Sequence, residues 1–140
     1  MSRVVVDASV VVKWFRTERE PHVVEARALF DAIMTRRMVA VAPTLLFTEL
    51  LNVAARRWRW ERTKLLDLVA DLDKLEIAVR EPKIADVAEW TARGLSAYDA
   101  SYVALARAES SNVVTDDTLI LKLAPHDAIS LEMWALGDSA

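Results

Sequence analysis

Five acidic residues define the chemistry open to this 140-residue chain: Asp7, Glu49, Asp99 and the adjacent Asp116 and Asp117. Carboxylates can exchange protons, and several together can hold a hard cation. Few other reactive groups are present. The chain has no cysteine, which excludes disulfides, thiolate metal sites and a thiol nucleophile. His22 and His126 are the only histidines, too few for a three-histidine metal centre. Gly94 and Gly137 are the only glycines and stand far apart, so there is no glycine-rich phosphate loop. Any reaction must rest on carboxylates, hydroxyls, amides and basic groups.

The segments carrying these acids alternate between strand and helix. Val4-Val5-Val6 is β-branched and continuous rather than alternating, as a strand buried on both faces requires. Ser9 to Phe15 can form a short helix. Pro21 suits the first turn of the next, His22 to Arg36, with Val23, Ala26, Leu29, Phe30 and Ile33 inward. Met38 to Val41 is a second strand. Thr44 can cap a helix from Leu45 to Arg57, buried on Leu46, Leu50 and Val53. A helix from Glu61 to Leu75 turns Leu65, Leu68, Val69 and Leu72 inward. Ile77 to Val79 is a third strand, and Pro82 to Arg93 a helix carrying Ile84, Val87 and Ala88, closed by Gly94. Ser96 can cap a helix from Ala97 to Ser110. Asn112 to Thr115 is a fourth strand and Asp116 to Leu123 a short helix. Ala128 to Trp134 is expected as a final strand, with the last residues frayed. This alternation predicts a single α/β domain over 1–140, its central sheet mostly parallel and covered by helices on both faces.

In an open α/β sheet, ligands bind beyond the carboxyl ends of the strands. Asp7 follows the first strand, and Asp116 and Asp117 follow the fourth. Glu49 lies in the first turns of the helix that leaves the second. Asp99 opens the helix that feeds the fourth strand, so it too starts at that rim. Each has an ordinary explanation: Asp7 and Asp116 as helix caps, Asp99 as the third residue after a Ser96 cap, Glu49 as a solvated charge. Those explanations do not predict a shared rim. Clustered carboxylates repel one another, and a divalent cation relieves the repulsion. Oxygen-only ligands suit Mg²⁺ or Mn²⁺. Ser9, Thr115 and Asn52 lie beside the acids and could orient them, or serve ordinary capping and turn bonds.

An acidic rim repels a polyanion, so a nucleic-acid substrate would need basic groups nearby. Residues 56–64 hold Arg56, Arg57, Arg59, Arg62 and Lys64 against Glu61, a local charge of +4 in a chain of net −3. Arg56 and Arg57 are candidates for phosphate contact, as are Lys13 and Arg16 on the first helix, where an ordinary exposed face is the plainer reading. Trp58 and Trp60 interleave with the arginines. They suit base stacking, and equally an oligomer or partner interface.

Four segments resemble the motifs of PIN-domain nucleases, most closely the toxin nucleases of VapBC-type toxin–antitoxin pairs. They are Val4-Val5-Val6-Asp7-Ala8-Ser9, Glu49-Leu50-Leu51-Asn52, the run from Tyr98 to Ala106, and Val114-Thr115-Asp116-Asp117. They fall in order over nearly the whole chain, and the run from Tyr98 is the most specific. The resemblance implies a three-layer α/β/α PIN-like fold with a sheet of four or five strands. It also implies Mg²⁺- or Mn²⁺-dependent endoribonuclease activity, with one or two ions per site, leaving a 5′-phosphate and a 3′-hydroxyl. It assigns metal-site roles to Asp7, Glu49, Asp99 and an aspartate after Thr115. Members usually show Thr, a variable residue, then Asp, which makes Asp117 the counterpart; Asp116 is itself acidic and could reach the ion instead. The resemblance further implies a cognate antitoxin lying in an apolar groove near the acids, and a homodimer. Trp14 and Phe15 are candidate antitoxin contacts, although core packing accounts for at least one of them.

Other readings are weaker. A haloacid-dehalogenase-type phosphatase needs a second Asp where Ser9 stands. A receiver domain needs an acidic pair beside the first strand and a late Lys. A degenerate PIN domain that binds RNA or protein without cutting is the remaining alternative, and the presence of every expected acid argues against it. With 54% apolar and 28% charged residues the chain is globular rather than disordered. No apolar run approaches the roughly 20 residues of a membrane span, and the first makes a poor signal peptide. A cytoplasmic location is expected, with no membrane partner. His22 and His126 are expected to be peripheral.

Overall fold

A computed structural model describes residues 2–139. In chain order the elements are β1 (Ser2–Val6), α1 (Ala8–Phe15), α2 (Val23–Met34), β2 (Met38–Ala42), α3 (Leu45–Arg56), α4 (Arg62–Lys74), β3 (Ala78–Val79), α5 (Ile84–Ala92), α6 (Ala97–Ala108), β4 (Val113–Thr115), α7 (Thr118–Leu123), β5 (Ala128–Ser130) and α8 (Leu131–Ser139). The strands form one all-parallel sheet in the order β3-β2-β1-β4-β5. Parallel neighbours need crossovers, and the crossovers are the helices that cover both faces. The result is the expected three-layer α/β/α arrangement.

The β-branched run of β1 takes the centre. Val5 and Val6 are fully buried, as are Val113 and Val114 of β4 beside them. Val5 pairs with Val41 of β2 on one side and with Val113 of β4 on the other. Chain order therefore reverses between β1 and β4. That switch point leaves a crevice at the carboxyl ends of the two strands, where Asp7 and the residues after Thr115 emerge.

Several local expectations change. The expected strand from Ala128 to Trp134 is a strand only to Ser130; α8 follows, helical through Ser139, and Ala140 lies outside the described residues. Leu131, Trp134 and Ala135 face inward at helical spacing while Met133 and Leu136 stay exposed. Ile84 on α5 is 81% exposed, and the buried pair is Val87 and Trp90, one turn apart. On α4, Leu68 and Leu72 are buried but Val69 points outward. Thr44 stands at the N-cap of α3 without capping it: its amide and hydroxyl both donate to Glu81.

The turn from α5 into α6 matters for the site. Gly94 adopts φ +113°, where a side chain is strained. Its N–H donates to the Thr91 carbonyl and that of Leu95 to the Trp90 carbonyl, which ends α5 in a Schellman motif. Ser96 then caps α6 by accepting from the Asp99 N–H at 3.1 Å. This sets Asp99 in the first turn of α6.

Candidate active site

Asp7 is 4% exposed and sits at the N-cap of α1. Its Oδ1 accepts from the Ser9 hydroxyl at 2.7 Å and from the Val10 N–H at 3.3 Å, and its Oδ2 accepts from the Thr115 hydroxyl. Both hydroxyls also accept: Ser9 Oγ from the Asp116 N–H at 3.1 Å, Thr115 Oγ1 from the Asp117 N–H at 3.0 Å. Ser9 and Thr115 thus tie the Asp7 carboxylate to the backbone leaving β4. Burial pushes the Asp7 carboxyl up to about 7; the bonds from Thr115, Ser9 and Val10 oppose that rise, and the nearby charge of Asp99 adds to it.

Glu49, half-buried on α3, accepts from the Tyr102 hydroxyl at 2.6 Å. Burial raises its pKa, the Tyr102 bond lowers it, and Asp99 raises it. Asp99 is raised by burial and then by Asp117, with Ser96 opposing. Asp117 caps α7, its Oδ1 accepting from the N–H groups of Leu119 at 2.9 Å and Ile120 at 3.0 Å. Asp7 and Glu49 each respond to Asp99, and Asp99 responds to Asp117, so the four acids form one electrostatic group. Among the described residues none of the four forms an ion pair with Lys, Arg or His.

Asp116 faces elsewhere. Its Oδ2 lies 3.2 Å from Lys13 Nζ and 3.1 Å from His22 Nδ1. Asp117, not Asp116, is the cap of the last short helix and the acid coupled to Asp99. Lys13 is 4% exposed and held by Glu20 at 3.0 Å as well as by Asp116, which removes it from any surface a phosphate could touch. His22, expected to be peripheral, instead abuts the rim through Asp116. Asn52 is exposed and its side chain bonds none of the described residues.

Two participants carried weak sequence signals. Tyr102 lies one turn after Asp99 on a helix of small residues, and a buried tyrosine needs a hydrogen-bond partner for its hydroxyl. Lys13 interrupts the apolar run Val10-Val11-Val12, where a cation stays only if paired. The partner candidates divide. Trp14 Nε1 donates to the Ala26 carbonyl at 2.8 Å and its ring meets Phe30 edge-on at 5.7 Å, so it joins α1 to α2; Phe15 packs half-buried on the core. Trp58 and Trp60 lie 5.0 Å apart beyond α3, with exposed Arg56 and Arg57 beside them and Arg16 over Trp58.

The donor chemistry fits a hard divalent cation: carboxylate oxygens only, three of the four acids desolvated by burial, and none with a protein cation. The side chains are not drawn up into a closed cage. Among the described residues, no three His, Cys, Asp or Glu stand close enough together to hold a metal ion as they lie.

Comparison with known proteins bears on this rim. The family model described as PIN domain matches residues 4–124, a span that holds all five acids. A search of curated proteins finds no match. Among solved structures, the crystal structure of PAE2754 from Pyrobaculum aerophilum superposes with a TM-score of 0.68 at 22% identity, covering 97% of this chain and 94% of that one. That similarity establishes a shared fold.

Proposed function

The chain belongs to the PIN-domain family, whose members are generally nucleases that use divalent metal ions, and we propose that it is a Mg²⁺- or Mn²⁺-dependent endoribonuclease. The observation that carries this reading is the group of four carboxylates, Asp7, Glu49, Asp99 and Asp117, coupled in charge and left without a protein cation at the sheet's switch point. Asp7, Asp99 and Asp117 would hold the ion, and Glu49 would hold a second ion or orient the attacking water. When bound, the metal lowers the pKa of water and offsets charge on the scissile phosphate. The protein supplies orientation. Ser9 and Thr115 fix both oxygens of Asp7, the α7 amides fix Asp117, and Tyr102 fixes Glu49. Hydrolysis would leave a 5′-phosphate and a 3′-hydroxyl.

The same reading makes the protein the cytoplasmic toxin of a type II toxin–antitoxin pair, inhibited by a cognate antitoxin and forming a homodimer. The quoted motifs support it. Among the described residues no helix is long and apolar enough to cross a membrane.

A second reading, a PIN domain that binds RNA or protein without cutting, draws on the open arrangement of the acids. One experiment separates the two. Structured RNAs are incubated with the protein in EDTA, with Mg²⁺ or Mn²⁺ restored, and with folded Asp99→Asn protein. Cleavage that needs the metal and disappears in the variant supports the nuclease. Metal-independent cleavage, or full activity of Asp99→Asn, removes the assignment. Metal-saturated protein that binds RNA but leaves it whole supports the second reading.

A further inference from the structure

We infer that the corner following α3 is a separate binding site for single-stranded RNA, a conclusion that rests on the ribonuclease reading for its choice of ligand. Elsewhere on the surface most cations pair, as Arg3 does with Glu109, Arg36 with Glu76, Arg37 with Asp138 and Arg107 with Asp127, and the exceptions, Arg19, Lys83, Arg93 and Lys122, are scattered singly along the chain. In residues 56–64 unpaired cations are gathered. Arg56, Arg57, Arg59, Arg62 and Lys64 are all exposed, and among the described residues none has a carboxylate within ion-pair distance. Five cations against the single carboxylate of Glu61 leave an excess of +4 in nine residues, and a polyanion relieves their repulsion.

The same corner offers rings. Arg59 takes φ +60° between Trp58 and Trp60, and the two half-buried indoles meet at 53°. Lys64 Nζ lies 4.9 Å from the Trp60 centroid, beside an open hollow of about 460 Å³ running from Trp58 to Lys64. Phosphates would lie on the cations and a base against the indole faces. A protein partner fits less well. Trp and Arg are common at protein interfaces, but the core of such an interface also needs aliphatic area and little charge, whereas this segment exposes five cations and no large aliphatic side chain between Asn52 and Lys64. The corner is also in reach of the rim. Arg57, the C-cap of α3, lies eight residues beyond Glu49, about 12 Å along the helix axis, a span of a few nucleotides. Arg16, at the end of the helix that Asp7 caps, stands over Trp58.

The test uses fluorescein-labelled oligouridine, with binding read by anisotropy in EDTA so that no strand is cut, over a range of salt concentrations. The triple variant Arg56→Gln, Arg57→Gln, Arg59→Gln should lower the slope of log affinity against log salt by about 2. Quenching of tryptophan fluorescence by oligouridine should disappear in Trp58→Phe, Trp60→Phe protein. A duplex of equal charge should bind more weakly than the single strand. An unchanged salt slope overturns the proposal, as does equal or tighter binding of the duplex. It is also overturned if the triple variant dissociates a wild-type dimer in sedimentation while its RNA affinity is unchanged, which would make the corner a protein interface. Failure of the ribonuclease reading looks different: oligouridine binds at the corner and no RNA is cut with any metal.

Discussion

The Asp7 carboxyl is held where its own charge is least welcome. Burial raises it from 3.8 to about 7, although three donors stabilise its ionised form. The native pKa lies above the unfolded one, so between about pH 4 and 7 the native protein holds a proton that the unfolded chain has released. Stability from this residue is therefore fully present below about pH 4 and lost as pH rises towards 7 in metal-free protein. Asp7→Asn removes that dependence. Its stability relative to wild type should improve by a few kcal/mol from pH 4 to 7, on top of a constant offset from altered bonding to Ser9 and Thr115. Urea denaturation of both proteins across that range checks it, and a flat difference would show that Asp7 titrates normally. Tyr102 acts on its neighbour in the opposite sense. Its bond lowers the Glu49 pKa, so Tyr102→Phe should raise that pKa and cost roughly 1 kcal/mol for the lost partner. Carbon-13 NMR titration of Glu49 reads the first effect without metal or substrate, and a Glu49 midpoint unmoved in Tyr102→Phe would leave Tyr102 a packing residue.

Among the elements, the α5–α6 turn places an acid by local geometry, a glycine turn followed by a serine cap. Gly94 at φ +113° lets Leu95 and Ser96 follow in the positions that end one helix and cap the next. An added Cβ would meet Leu123 Cδ1 at 3.4 Å, a contact that neighbour can accommodate, so the cost of Gly94→Ala comes from φ. A loss of about 1–2 kcal/mol is expected, as a lower urea midpoint at unchanged m-value. An unchanged midpoint would mean that the turn relaxes freely. The roles of Gly94 and Ser96 were legible in the sequence because they depend on neighbours within one turn. Other element-scale features were not. α8 was hidden because Ala128-Ile129 starts a strand and Ser130 then serves the helix by accepting from the Met133 N–H; nothing local marks where period two becomes period 3.6. Ile84 is apolar yet lies on the outer side of the first turn of α5, and only the placement of Val87 and Trp90 shows which face is inward.

For the molecule as a whole, the rim was legible because topology alone places it: acids at strand exits and helix starts converge wherever a parallel sheet reverses its order. The surroundings of Asp116 were not, because they consist of Lys13 and His22, about a hundred residues away in the chain and brought to the rim only by the pairing of β1 with β4. That arrangement makes one property of the folded protein testable without any substrate. Four coupled acids without a protein cation carry a repulsion that a bound dication would remove, and an unfolded chain has no such cluster. Mn²⁺ at a hundredfold excess over its dissociation constant should stabilise the fold by about 2.7 kcal/mol, the cost of drawing the acids together being already contained in that constant. For a domain of this size that is at most ~10 °C in Tm. The shift should vanish in Asp99→Asn, which removes the acid coupled to the other three. It should persist in Asp116→Asn, because that carboxylate already belongs to Lys13 and His22. Thermal denaturation of the three proteins with and without Mn²⁺ decides the point. A shift lost in Asp116→Asn and kept in Asp99→Asn would move the ion to the other aspartate, and no shift in the wild type would leave the rim without a metal.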